Sequence, residues 1–279
     1  MAVDTLVNFL VEPLSYAFMQ RGLLAAVLIG IVAAVIGAFV VLRGMSFIGD
    51  AMAHAVLPGV AVAFLVGQNV LLGAFLAGTA TAVGIGFVKR SSRLREDSAI
   101  GIMFVGAFAL GIALLSRTRS YTVDLNHILF GNVLAVSPQD LWIIAGFGAV
   151  VLAVIALLYK EFLVMSFDPI MAATARLPVT LLNDILLILL SVTIVISMRA
   201  VGNILVVAML IAPAATAYLL TDHLPRMMAL GAVFGVAAAI IGLYASYWFD
   251  MASGAAIVLA AVAIFFVTLA ATRGRHAWG

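Results

Sequence analysis

The chain has 279 residues, of which 66% are hydrophobic and 9% charged, with a formal net charge of +2. A soluble domain carries ~25% charged residues, so this composition excludes water-soluble folds. Cysteine is absent, which removes disulfides and thiolate metal ligands together.

The first segment, residues 1–18, carries Asp4 and Glu12 without an early Lys or Arg. It is therefore not a cleavable signal peptide. It reads as an interfacial amphipathic helix ending near Pro13. A span needs ~20 predominantly apolar residues. Apolar runs predict spans over 22–42, 46–66, 70–88, 98–116, 139–159, 179–198, 201–221, 227–248 and 252–271. The expected fold class is all-α, a polytopic transmembrane helical bundle forming one domain over 1–279. The count is nine, or eight if the pair meeting at Arg199–Gly202 is one broken element.

Basic residues gather in KRSSRLRED (89–97), between Lys160 and Arg176, and at Arg273 and Arg275. Nine spans with an outside N-terminus put all three clusters, and the C-terminus, on the cytoplasmic side, as the positive-inside rule favours. Arg117 and Arg119 are the exceptions. They lie in the outer loop 117–138, where DLNHILFGN (124–132) predicts a short helix. Recurrent glycines, among them Gly30, Gly37, Gly231 and Gly235, read as close helix packing rather than chemistry.

The sharpest chemical signal is Asp50 and His54 within RGMSFIGDAMAHAVLPGVA (43–61). Positions i and i+4 share one helix face, a turn apart. A charged group at the bilayer centre costs ~2.5–3.5 kcal/mol on insertion scales, so intramembrane ionisable residues default to function. A span starting near Ser46 puts His54 near the midplane and Asp50 on its cytoplasmic side. Carboxylate plus imidazole without sulfur suits manganese, iron or zinc and disfavours copper(I). The bland reading is a hydrogen bond that fixes helix packing. Two groups also make only part of a coordination sphere.

Between the fifth and sixth spans, Asp168-Pro169 followed by IMAATAR (170–176) predicts a short cytoplasmic helix. Asp is a good N-cap and Pro is preorganised at the first helical position. Leu177-Pro178 ends it. Such a helix offers a docking partner something to push on, although an ordinary connector reads equally well. In VGNILVVAMLIAPAATAYL (201–219), Pro213 predicts a kink, and no ligand is assigned there. His127, His223, Asn183, Asp184 and Asp250 read as surface, cap or helix-dipole positions. There is no G-x-x-x-x-G-K-[ST], and the lysines are Lys89 and Lys160 alone, so this chain binds no ATP through a P-loop. H-E-x-x-H and G-x-S-x-G are also absent, which disfavours an intramembrane enzyme.

The stretches at 43–61, DLNHILFGNVLAV (124–136), DPIMAATARLPV (168–179) and 201–219 together closely resemble permease subunits of bacterial ABC importers for manganese, zinc and iron. The likeness runs in order from about residue 20 to 270, and its form favours the manganese branch. The resemblance implies a homodimer in the bacterial plasma membrane with the translocation path between its copies. It implies two cytoplasmic ABC ATPase subunits, an extracytoplasmic metal-binding protein, lipid contact and no nucleic acid. Asp50 and His54 match residues that hold the metal in transit. The loop 160–179 matches the coupling helix, with Asp168, Pro169, Ala172 and Arg176 at the ATPase-docking positions. The divalent metal is cargo, and no permanent cofactor is implied. A two-fold axis would then let Asp50 and His54 of two chains offer up to four ligands to one ion. The rivals are a proton-coupled secondary metal transporter using the same pair, an intramembrane enzyme and a substrate-free scaffold.

Overall fold

The structure, a computed structural model, describes residues 11–45, 47–116 and 133–276, and contains no strand among them. Twelve α-helices follow in order. They are α1 (Ala17–Leu42), α2 (Ile48–Ala55), α3 (Leu57–Leu65), α4 (Val70–Ser91), α5 (Glu96–Leu115), α6 (Pro138–Leu157), α7 (Tyr159–Phe167), α8 (Pro169–Thr174), α9 (Val179–Val201), α10 (Asn203–Tyr218), α11 (Leu224–Phe249) and α12 (Ser253–His276). Among the described residues, eight elements are long and apolar enough to cross a membrane, with α2 and α3 counted as one, and the 16-residue α10 is a shorter ninth apolar helix.

Residues 1–10 of the expected interfacial helix lie outside the described residues, as do the expected outer-loop helix 124–132 and His127. Pro13–Ser15 form a single 3-10 turn and α1 begins directly after it, at Ala17. The first span therefore starts earlier than the expected residue 22. Arg21 does not stop the helix, because its Nε donates back to the Ala17 carbonyl at 3.2 Å.

Two further differences have clear causes. The expected span 46–66 is broken into α2 and α3 around Val56. Pro58 lacks the N–H that would bond the His54 carbonyl four residues earlier, and the N–H of Gly59 turns to the Val56 carbonyl three residues back, where the regular bonding of α3 begins. In the 201–219 stretch the helix runs on through Pro213, and the break falls at Gly202. Gly202 adopts φ +78° and ψ 168°, a conformation that side chains disfavour. That single residue separates α9 from α10.

Helix α1 forms the centre, packed between α10 and α11, with α9 set against α4 and α6. Gly30 of α1 and Gly235 of α11 bring their backbones together, which bears out the packing role read for these glycines. The α1 span is 72% buried and that of α12 only 17%. The outward side chains of the peripheral helices, such as Ile102, Val150, Val233 and Val267, are apolar and exposed. That pattern suits lipid rather than water.

Candidate metal-transit site

The approach to the site begins where α1 stops. Gly44 sits at φ +67°; its N–H bonds the Val41 carbonyl and that of Met45 bonds the Val40 carbonyl. This is a Schellman ending, with glycine in the left-handed position and buried Met45 as the following apolar contact. The RGM triplet thus turns the chain sharply into α2, which carries the pair.

On α2, His54 Nδ1 lies 3.7 Å from Asp50 Oδ1 and 3.1 Å from the Asp50 backbone carbonyl oxygen. The Asp50 side chain is 43% exposed and that of His54 22%. Phe104 and Phe108 of α5 approach the imidazole at ring-centroid distances of 5.8 and 5.4 Å, both edge-to-face. From α10, the Asn203 side-chain amide reaches His54 Nδ1 at 3.2 Å. Among the described residues, no group of three His, Cys, Asp or Glu side chains could hold an ion. One protomer therefore presents a carboxylate and an imidazole that are partly open and short of a full coordination sphere.

The other four site residues expected from the sequence lie elsewhere. Asp168 caps α8, its Oδ1 accepting from Ile170 N at 3.0 Å and Met171 N at 2.9 Å. Pro169 opens the helix, and Ala172 is fully buried. The helix ends in a second Schellman motif, Leu177 N–H to Ala172 O and Arg176 N–H to Ala173 O. Here the left-handed position is held by Arg176 at φ +58° rather than by glycine. Ile170, Met171 and the preceding Phe167 stay exposed. The element is short, capped at both ends and apolar on its free side.

A polar network joins four helix ends. Arg43 Nη2 donates to Glu96 Oε1 at 3.2 Å and also to Asn183 Oδ1. Lys89 Nζ pairs with the other oxygen of Glu96. Arg90 Nη1 meets both oxygens of Asp184 at 2.9 and 2.8 Å. Burial pulls the Arg43 guanidinium below its ordinary range, and the Glu96 charge and hydrogen bond act in the opposite direction. Asn183 and Asp184 lie in the first turns of α9, whereas Asn203 follows its last residue. At ~1.5 Å per residue, the part of α9 between Asn183 and its last residue, Val201, is ~27 Å long.

The sequence model of the ABC 3 transport family matches residues 15–272. The chain belongs to that family. It is a multi-pass membrane protein of the ABC permease type. It is 51% identical over 263 residues to "Manganese transport system membrane protein MntC" of Halalkalibacterium halodurans, covering 94% of this chain and 90% of the relative. It is 43% identical over 268 residues to "Probable iron transport system membrane protein" of Haemophilus influenzae, covering 96% and 98%. Among solved structures it resembles "PsaBC from Streptococcus pneumoniae in complex with Fab", with a TM-score of 0.82, 42% identity, and 94% and 95% of the two chains covered.

Sequence reasoning missed Asn203 and the Arg43 network. Asn203 lies 149 residues from His54, and Asn183 lies 140 residues from Arg43. The broken apolar run around Gly202 was the available signal for the first. Intramembrane-edge charges of opposite sign on Arg43 and Glu96 were the signal for the second.

Proposed function

We propose that this ABC 3 family chain is the permease of a bacterial plasma-membrane importer that moves a divalent transition metal, manganese foremost, with zinc and iron as the related cargoes. The observation that carries the reading is the Asp50–His54 pair: two ionisable groups on a membrane helix, half open and insufficient alone. Two copies facing each other across a two-fold axis complete the sphere, and charge neutralisation by the ion offsets the cost of the carboxylates. Release requires that the site hold its ion only transiently.

The whole chain acts as one permease domain. Energy enters from two ATPase subunits that grip α8 through its exposed Ile170 and Met171, with Asp168, Pro169, Ala172 and Arg176 fixing its shape. No P-loop occurs in this chain, so hydrolysis belongs to those partners. The N-terminus faces outside and the C-terminus the cytoplasm. This orientation gathers the Lys89–Asp97 and Lys160–Arg176 clusters on the ATPase side. Membership of the ABC 3 transport family favours ATP-driven import over a proton-coupled transporter. The test is metal-dependent ATPase activity and uptake by the assembled complex in vesicles. Asp50→Ala and His54→Ala should each abolish manganese uptake while assembly persists; wild-type uptake in both would sink the reading.

A further inference from the structure

The Asn203 amide meets an imidazole whose proton position the surrounding oxygens decide. His54 Nδ1 lies 3.1 Å from the Asp50 backbone carbonyl oxygen. A nitrogen lone pair facing carbonyl lone pairs at that distance is repulsive, so the proton belongs on Nδ1, donating toward that oxygen. Nε2 is then the free lone pair of the ring. With Nδ1–H as a donor, the group that Asn203 turns to it must be an acceptor. As placed, Asn203 Nδ2 faces Nδ1 at 3.2 Å, while Oδ1 is buried without a hydrogen-bond partner. Oxygen and nitrogen of such an amide are assigned from the hydrogen-bond network. Turning the amide by 180° lets the carbonyl oxygen accept from Nδ1–H and removes the orphaned acceptor. It moves the unfilled position to the NH2 group, which then awaits an acceptor.

Asn203 is only 3% exposed, and it sits beside Gly202, whose backbone fixes where α10 begins. The amide is therefore held rigidly, and it contacts the ring from a different helix than the one bearing Asp50. Phe104 and Phe108 limit the ring's tilt from the α5 side.

We propose that Asn203 is a positioning residue for the transit site: its side-chain carbonyl holds His54 by Nδ1–H and so presents Nε2 to the passing cation. The proposal rests on Asp50 and His54 being the metal half-site. Metal-binding histidines commonly donate their second ring N–H to an oxygen, and loss of that partner lowers affinity ~10–100-fold. The break between α9 and α10 acquires a purpose: it delivers an uncharged oxygen to the back of the ring, leaving the ion's charge to be balanced by Asp50.

The experiment uses the complete transporter in vesicles, with Mn2+ as the probe, and four variants: Asn203→Leu, Asn203→Asp, Asp50→Ala and His54→Ala. Leucine keeps the volume but accepts no hydrogen bond; aspartate keeps the acceptor. The expected result is a rise of at least about tenfold in the Mn2+ concentration for half-maximal uptake in Asn203→Leu. Asn203→Asp should stay within about threefold of wild type. In parallel, 15N shifts of labelled His54, assigned by subtracting the His54→Ala spectrum, should show the proton on Nδ1 in wild type and Asn203→Asp. Asn203→Leu should keep the proton on Nδ1, held by the Asp50 carbonyl, but shift the Nδ1 resonance as the second acceptor is lost, whereas Asn203→Asp should restore both uptake and shift, which a packing role would not produce. An unchanged half-maximal concentration and Nδ1 resonance in Asn203→Leu would overturn the proposal, as would a proton on Nε2 in wild type. If Asn203→Leu does not assemble, Asn203→Asp and the wild-type spectrum decide, and a tenfold loss in Asn203→Asp counts against it. Wild-type uptake in Asp50→Ala and His54→Ala would instead remove the half-site reading beneath it.

Discussion

The two ends of α9 hold the protein's most expensive polar groups and treat them differently. At the first turns, Arg43, Lys89, Arg90, Glu96, Asn183 and Asp184 pair with one another within a single chain, with Arg43 Nη1 alone among their buried atoms left unpartnered. Beyond the last turn, Asp50 and His54 lie 3.7 Å apart with the carboxylate 43% exposed and no third charged ligand among the described residues. A network in which every charge faces an opposite charge stabilises a helix junction without an outside ligand. The open pair lacks a third charged ligand among the described residues, and under the proposed function a second copy supplies the rest. That contrast separates structural charge from functional charge here better than burial alone does.

The comparison breaks most sharply at its two extremes. Asp50→Ala or His54→Ala should reduce manganese uptake to background with little change in thermal stability, measured by uptake and melting of the same preparation. Arg43→Met should show the reverse emphasis. Removing one partner of a buried ion pair costs ~3–5 kcal/mol, so the melting temperature and the yield of assembled complex should fall steeply.

Smaller effects sharpen the picture at α8. Asp168→Ala removes an N-cap worth ~1 kcal/mol, and metal-stimulated ATPase activity should fall more than basal ATPase activity. Arg176→Gly relieves a left-handed residue that costs ~1–2 kcal/mol. The variant should therefore melt slightly higher, and a lower melting temperature would show that the Arg176 side chain contributes more than its backbone strain. The smallest change is expected for Lys89→Gln, because its pair with Glu96 is 37% exposed on the lysine side. Exposed pairs contribute ~0–1 kcal/mol and weaken with salt.

Much of this was legible in the sequence for local reasons. Asp50 and His54 share a helix face by spacing alone, and Asp168-Pro169 carries its own start signal, which the cap hydrogen bonds realise. The apolar runs gave the bundle and nearly all its spans. What escaped was tertiary or depended on choosing between two breakers. Pro213 stays inside α10, whereas Pro58 accompanies a break, since the second withdraws a donor from the His54 carbonyl just where α2 ends. Asn203 and Asn183 looked like minor polar residues because their partners lie 149 and 140 residues away. No periodicity connects such distant positions; only the packing of α2 on α10 and of α1 on α9 does.

The central claim is that each chain holds half a metal site, completed by its copy. The most direct measurement is Mn2+ binding to the purified, nucleotide-free complex, with stoichiometry by titration and ligand identity by electron paramagnetic resonance. The account predicts one ion per two permease chains, with nitrogen couplings that vanish in His54→Ala. One ion bound per chain, or a bound ion whose nitrogen couplings survive His54→Ala, would contradict it.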